Sequence, residues 1–299
     1  MRASLGLSAA RPEGRPTFAR LVLIQVLAGL LAGCFGSTKT PALQVVTTPQ
    51  RVYPVEHGFA DTGDGRRIHF AEVGEKERRA VVFVHGTPGS WRAYEGYLAN
   101  PQLIDKTRLV AVDRLGFGES QPNRVEASLE KQAASLVPLL RSLEAAGKPI
   151  LVGHSYGGPV IARLAMDHPE LVGGLVMVAP SIDPELEKLR WYNQLASWRL
   201  LNWMLQRELL TSNREILPLK AELTRMLPGW SKIEAPVILI QGDEDTLVPK
   251  ENADFAARML PASQLRLERI PAVGHFVLWQ QPQLVVQAVL SLLETQGPG

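Results

Sequence analysis

Five short runs of the chain are almost continuously apolar and show no alternation with polar residues. They are AVVFVHG (80–86), RLVAVDR (108–114), PILVGHS (149–155), LVGGLVMVAPS (171–181) and PVILIQG (236–242). Strands covered on both faces of a parallel sheet read this way, because neither face meets water. RRIHFAEVG (66–74) alternates instead, with Ile68, Phe70 and Ala71 expected to face inward, and DTGDG before it is a turn signal. QLRLERI (264–270) is a further strand-like run. Between the strands, 126–147 and 157–168 carry apolar residues at helical spacing, and Leu129, Ala133, Leu136 and Leu140 form one stripe. Segments 251–260 and 282–296 repeat that pattern. The alternation predicts an α/β fold, with a mostly parallel central sheet and helices on both faces.

From Ser181 to about Trp230 the alternation stops and only helical patterning remains. Leu195, Trp198, Leu201 and Leu205 recur at spacings of three and four, with Trp191, Tyr192, Trp203 and Met204 nearby. Four of the six tryptophans (191, 198, 203 and 230) fall in this stretch. The expected organisation is a core of residues 51–180 and 231–299 carrying a helical cap at 181–230. Most of the tryptophans would pack the cap's own small core. Trp191 and Trp198, with Phe276 from the core, are the candidate substrate-binding residues of an apolar pocket beneath it.

Composition places the chain among globular proteins: 45% hydrophobic residues and 21% charged residues over 299 positions are ample for a buried core. The net charge of +2 is unevenly placed, since Arg2, Arg11, Arg15 and Arg20 face only Glu13 in the first 20 residues. The rest of the chain is nearly neutral, so nothing calls for a nucleic-acid partner. Those arginines precede an eleven-residue apolar run, Leu21 to Leu31, broken only by Gln25 and Gly29. A membrane-spanning helix needs about 20 residues, whereas a run of this length suits a signal peptide. It ends in LAGC at Cys34, the only cysteine, which therefore has no internal disulfide partner. LAGC resembles the bacterial lipobox. The resemblance implies a signal peptide at 1–33, a lipidated Cys34 and a tether at 34–50 rich in small residues, Thr and Pro. It also implies a protein of the bacterial cell envelope, held to the membrane by its anchor. Phe35 after the cysteine points to the outer membrane, facing the periplasm.

The candidate chemistry lies in GHSYGG (153–158), where Ser155 sits between an apolar strand and a helix. A serine at such a turn is strained and exposed, and the helix N-terminus offers N–H groups to a developing anion. The serine needs a base, and the base needs an orienting carboxylate. His154 is adjacent, but neighbouring side chains on a strand diverge to opposite faces, so it is expected to be structural. His85 closes a strand and supports the adjacent loop, His168 ends a helix, and His57 and His69 belong to N-terminal strands. His275 follows QLRLERI on a loop at the strand's C-terminal end. In a parallel sheet that is the rim where Ser155 also lies. The same rim offers Asp243, Glu244 and Asp245 in VILIQGDEDTLVP.

These elements, in this order, resemble the α/β-hydrolase family, whose triad runs Ser, then Asp or Glu, then His. The resemblance covers roughly residues 50–296. It implies Ser155 as nucleophile, Asp245 as acid through the G-x-x-D match of Gly242 to Asp245, and His275 as base. Asp243 and Glu244 become solvated turn residues, and Asp183 is the less favoured acid. HGTPGS (85–90) resembles the family's H-G-x-P loop, so the N–H groups of Thr87 and Tyr156 would form the oxyanion hole. DRLGFGES (113–120) resembles a structural turn of the family. The loop is not the H-G-G-G type of many lipases, and Ser155 stands where haloalkane dehalogenases and epoxide hydrolases have an aspartate. The implied protein is a serine hydrolase of small to medium apolar carboxylic esters that needs no metal or organic cofactor. Rival readings are an aminopeptidase-like enzyme using Glu185, Glu187, Glu208, Glu215 or Glu222 for a substrate ammonium, and a carbon–carbon bond hydrolase. From another class comes a membrane-tethered binding protein with an inactive site.

Overall fold

The continuous apolar runs become the central strands of one sheet. The computed structural model describes residues 46–48, 51–121, 124–188 and 207–295. Among them, β1 (Val46–Thr48) and β2 (Arg51–Tyr53) form an antiparallel hairpin. An eight-stranded sheet follows, built from β3 (Glu56–Asp61), β4 (Arg67–Val73), β5 (Ala80–Val84), β6 (Arg108–Val112), β7 (Ile150–His154), β8 (Gly174–Val178), β9 (Val237–Gly242) and β10 (Leu265–Ile270). Its order is β10-β9-β8-β7-β5-β6-β4-β3. The six strands from β10 to β6 are parallel, and β4 and β3 extend one edge antiparallel. The chain therefore has the α/β-hydrolase fold anticipated from the alternation of strand and helix.

The lack of polar alternation in β5 has a direct cause. Val82 and Val84 pack into the core on one face, with residues of α1 (Leu129–Leu143) and α2 (Gly157–Asp167), while Val81 and Phe83 pack into the other. The stripe Leu129, Ala133, Leu136 and Leu140 is buried as its spacing required. In the long β8–β9 connection lie α3 (Arg207–Ile216) and α4 (Leu219–Met226). Then α5 (Asn252–Met259) covers the first face, and α6 (Pro282–Thr295) covers the second.

Three details differ from the pattern-based expectation. Strand β8 is shorter than the run 171–181, because Leu171 ends a 3-10 turn and is buried there without extending. Val46–Thr48, inside the expected tether, is paired with Arg51–Tyr53. Trp230 is buried against Phe255 (ring centroids 5.3 Å apart) in the main core, so it does not serve a separate core of the insertion. Cys34, Trp191, Trp198 and the stripe from Leu195 to Leu205 lie outside the described residues.

Candidate active site

Ser155 follows β7 directly and precedes α2. Its φ of +53° lies in the left-handed region that a side chain with a Cβ rarely adopts, the strain expected of a sharp strand-to-helix turn. The turn is held by Ser155 N–H donating to Val178 O (3.0 Å) and by Gly158 N–H donating to Ser155 O (2.9 Å). A Cβ on Gly157 would stand 2.1 Å from Val84 O, so only glycine lets α2 start this close to β5.

Asp245 and His275 sit on the loops after β9 and β10, and both are buried. His275 Nδ1 donates to Asp245 Oδ2 at 2.8 Å. Asp245 Oδ1 accepts from the N–H groups of Leu247 (2.9 Å) and Val248 (2.8 Å), and Oδ2 also accepts from Gln241 Nε2 (3.2 Å). The carboxylate is thus fixed by its own loop, and the network assigns the Nδ1–H tautomer to His275, leaving Nε2 as the basic nitrogen. No hydrogen bond joins Ser155 to His275 among the described residues; such contacts are commonly long in sites without substrate. Asp183, the less favoured acid, accepts from Arg258 Nη2 (3.2 Å) and Glu185 N–H (2.9 Å).

The other histidines each have a partner. His154 is buried, its Nε2 lies 3.2 Å from His275 O, and its ring meets His275 (4.8 Å) and Trp279 (5.0 Å). Burial, followed by the charge of His275, pushes its pKa down to about 3, so it stands neutral beneath the loop that carries His275. His85 is buried in the H-G-T-P loop, where Nδ1 donates to Gly86 O (2.7 Å) and Nε2 accepts from Arg114 N–H (3.0 Å). Burial, then the Arg114 charge, hold it well below the usual histidine range. His69 pairs with Asp113 (2.8 Å) and with His57 (3.0 Å), and His168 caps the C-terminus of α2.

Thr87 and Tyr156 flank the elbow, and neither backbone N–H is used in a hydrogen bond among the described residues. The elbow and the H-G-T-P loop touch, since a Cβ on Gly86 would lie 3.0 Å from Ser155 Cβ. Phe276 is partly buried, with its ring 5.8 Å from those of His275 and Trp279. The DRLGFGES turn is structural: Asp113 accepts from the N–H groups of Trp91 (2.8 Å) and Glu119 (2.9 Å). Of the five insertion carboxylates, Glu215 is bonded to Arg114 and Glu185 pairs with Lys220 at 3.3 Å. Glu222 accepts from Leu129 N–H (3.0 Å). Glu187 approaches the elbow, bonded to Ser181 Oγ, while Ser181 N–H reaches Ser155 O at 3.4 Å; burial raises the Glu187 pKa. The sequence offered Arg114 as part of a turn motif and Glu215 as one candidate for a substrate ammonium; the structure instead pairs the two.

A buried strand, a strained serine elbow and a histidine–aspartate pair on one rim of a parallel sheet define a hydrolase of α/β architecture. The sequence model of the alpha/beta hydrolase family matches residues 81–288, and the chain belongs to that family. A Bacillus subtilis (strain 168) protein, provisionally named 2-succinyl-6-hydroxy-2,4-cyclohexadiene-1-carboxylate synthase, is 29% identical over 77% of this chain and 96% of its own. Epoxide hydrolase 3 of Xenopus tropicalis is 26% identical over 80% of this chain and 78% of its own. Among solved structures, a bacterial membrane phospholipase A has the same fold, with a TM-score of 0.62, 20% identity and coverage of 93% of this chain and 94% of that one.

Proposed function

We propose that this hydrolase cleaves carboxylic esters of small to medium apolar substrates through an acyl-enzyme on Ser155. The observation that carries the reading is the 2.8 Å bond between His275 Nδ1 and a fully bonded Asp245, on the rim where Ser155 is held at φ +53°. His275 Nε2 takes the Ser155 proton as Oγ attacks the ester carbonyl. The Thr87 and Tyr156 N–H groups take the oxyanion, and each is worth about 3 kcal/mol of transition-state stabilisation. The protonated His275 then gives its proton to the leaving alcohol. Water, deprotonated by the same imidazole, releases the acid and restores the serine hydroxyl. Epoxide hydrolase 3 is among the relatives, but the resemblance to the epoxide hydrolase branch implies an aspartate at the elbow, where this chain has Ser155. Phe276, with its ring 5.8 Å from that of His275, is the described residue that offers an apolar side to the substrate.

Turnover of p-nitrophenyl esters tests the mechanism. Wild type is expected to release p-nitrophenol and Ser155→Ala to lose activity; a variant with full rate would remove Ser155 from the chemistry. A panel of short esters, long esters and amino-acid amides separates the ester reading from the aminopeptidase-like one, for which Glu187, bonded to Ser181 beside the elbow, is the candidate carboxylate. Cys34 is proposed as a lipid anchor to the bacterial outer membrane, facing the periplasm. Each buried methylene would contribute about 0.8 kcal/mol to its hold. Cys34→Ser is expected to move the protein from the membrane to the soluble fraction, and unchanged fractionation would count against lipidation.

A further inference from the structure

Among the described residues at this rim, Arg114 is a heavily bonded buried cation, and the catalytic scheme gives it no role. Its side chain is fully buried, as is that of Glu215, to which it is joined by two bonds: Nη1 to Oε1 at 2.7 Å and Nη2 to Oε2 at 3.0 Å. The remaining donors turn toward the H-G-T-P loop. Nε donates to His85 O (2.9 Å) and Nη2 to Gly86 O (3.0 Å), while the Arg114 backbone N–H donates to His85 Nε2 (3.0 Å). Gly86 O therefore accepts from two side chains, Arg114 and His85.

That carbonyl has a particular consequence. Gly86 C=O and Thr87 N–H belong to one planar peptide unit and point in opposite directions. Gripping the oxygen from one side aims the N–H toward the other, and a bonded carbonyl also polarises its own peptide. The guanidinium further lies over the Tyr156 ring, 4.6 Å from its centroid. One side chain thus braces both residues of the oxyanion hole, without facing substrate.

Glu215 brings in a distant element. It belongs to α3 in the β8–β9 connection, and its Oε1 also accepts from Gln132 Nε2 of α1 at 3.1 Å. Helix α3 rests on the turn after β6, since a Cβ on Gly116 would lie 3.5 Å from Thr211 Cγ2. Stability alone gives little reason for such a pair, because desolvating two charges offsets most of their attraction, and apolar replacements are often neutral or stabilising. We infer that Arg114 and Glu215 are positioning residues that couple the placement of α3 to the aim of the Thr87 N–H in the oxyanion hole.

The inference rests on the serine-hydrolase reading, and the test separates the two. The double variant Arg114→Met/Glu215→Leu removes both charges together and leaves neither unpaired. It is expected to melt close to wild type yet lose at least about tenfold in kcat, with KM within about threefold. Affinity for a trifluoromethyl ketone, whose serine adduct carries an oxyanion, is expected to fall in parallel with kcat. Arg114→Lys keeps the charge but not the fork. It is expected to show the same split more mildly, and it carries the test if the double variant does not fold. A folded variant with wild-type kcat, or a loss confined to KM, overturns the inference while Ser155→Ala still abolishes turnover. Full activity in Ser155→Ala overturns the underlying reading instead.

Discussion

Asp245 has both carboxylate oxygens engaged before substrate enters, two bonds from its own loop on Oδ1 and two from side chains on Oδ2. Asp245→Asn keeps the shape and the loop bonds but can present an amide to His275 Nδ1, which stabilises the tautomer with its proton on Nε2. That imidazole cannot accept from serine. The expected result is a fall in kcat of about 10⁴ with little change in melting temperature, read from ester hydrolysis and a thermal melt. A variant within tenfold of wild type would show that His275 does not depend on Asp245 for its tautomer. At this scale the sequence was informative where local geometry decided the matter. Strand alternation is the sequence reason for setting His154 aside, and the structure places that ring against Trp279 and the His275 backbone. It could not show that His154 and His275 come within 4.8 Å, because 121 positions separate them and only strand order brings their loops together.

The elements were legible where burial and periodicity agree. β5 and β7 read as buried strands because both of their faces are covered, and α1 read as a helix because one stripe is. Apolarity reports burial before extension, which is why the run 171–181 reads as strand from Leu171 onward although Leu171 sits in a 3-10 turn. Helix α3 is the harder case. The residues it buries are Thr211, Ser212, Asn213 and Glu215, all polar, so a hydrophobicity pattern points its wrong face inward. Its partner Arg114 lies 101 positions away in a turn motif, and no spacing rule links the two. The junction of β7 and α2 carries a prediction at this scale. Gly157→Ala would put a methyl group 2.1 Å from Val84 O, a backbone atom of the neighbouring strand. The helix must then lift from the sheet and take Ser155 with it. The expected outcome is a stability loss of about 1–3 kcal/mol, read by denaturant titration, accompanied by reduced turnover in the folded fraction. An unchanged midpoint would mean the elbow has more slack than this contact allows.

For the whole molecule, the buried histidines make stability depend on acidity in a definite direction. His85 and His154 are both held neutral, chiefly by burial, with the neighbouring Arg114 and His275 acting in the same sense. In the unfolded chain both return toward 6.5. Between that value and about 3 for His154, the unfolded state binds more protons than the folded state. Stability therefore rises with pH in this window. Their contribution is fully present above 6.5 and is lost as the medium acidifies, at a slope of at most about 1.4 kcal/mol per pH unit for each histidine. His154→Gln retains a donor for His275 O and removes one titration. The expected result is a smaller drop in the urea midpoint between pH 7 and pH 5 than wild type shows, with the two converging above neutrality. Equal drops would mean that His154 accepts a proton without opening the fold, against its burial between β7, Trp279 and the His275 loop. Because that same loop holds the proposed base, acid unfolding should begin at the active-site rim. Protection of the amides around His275 against hydrogen exchange is then expected to be lost at a higher pH than that of β3 and β4, on the far side of the sheet.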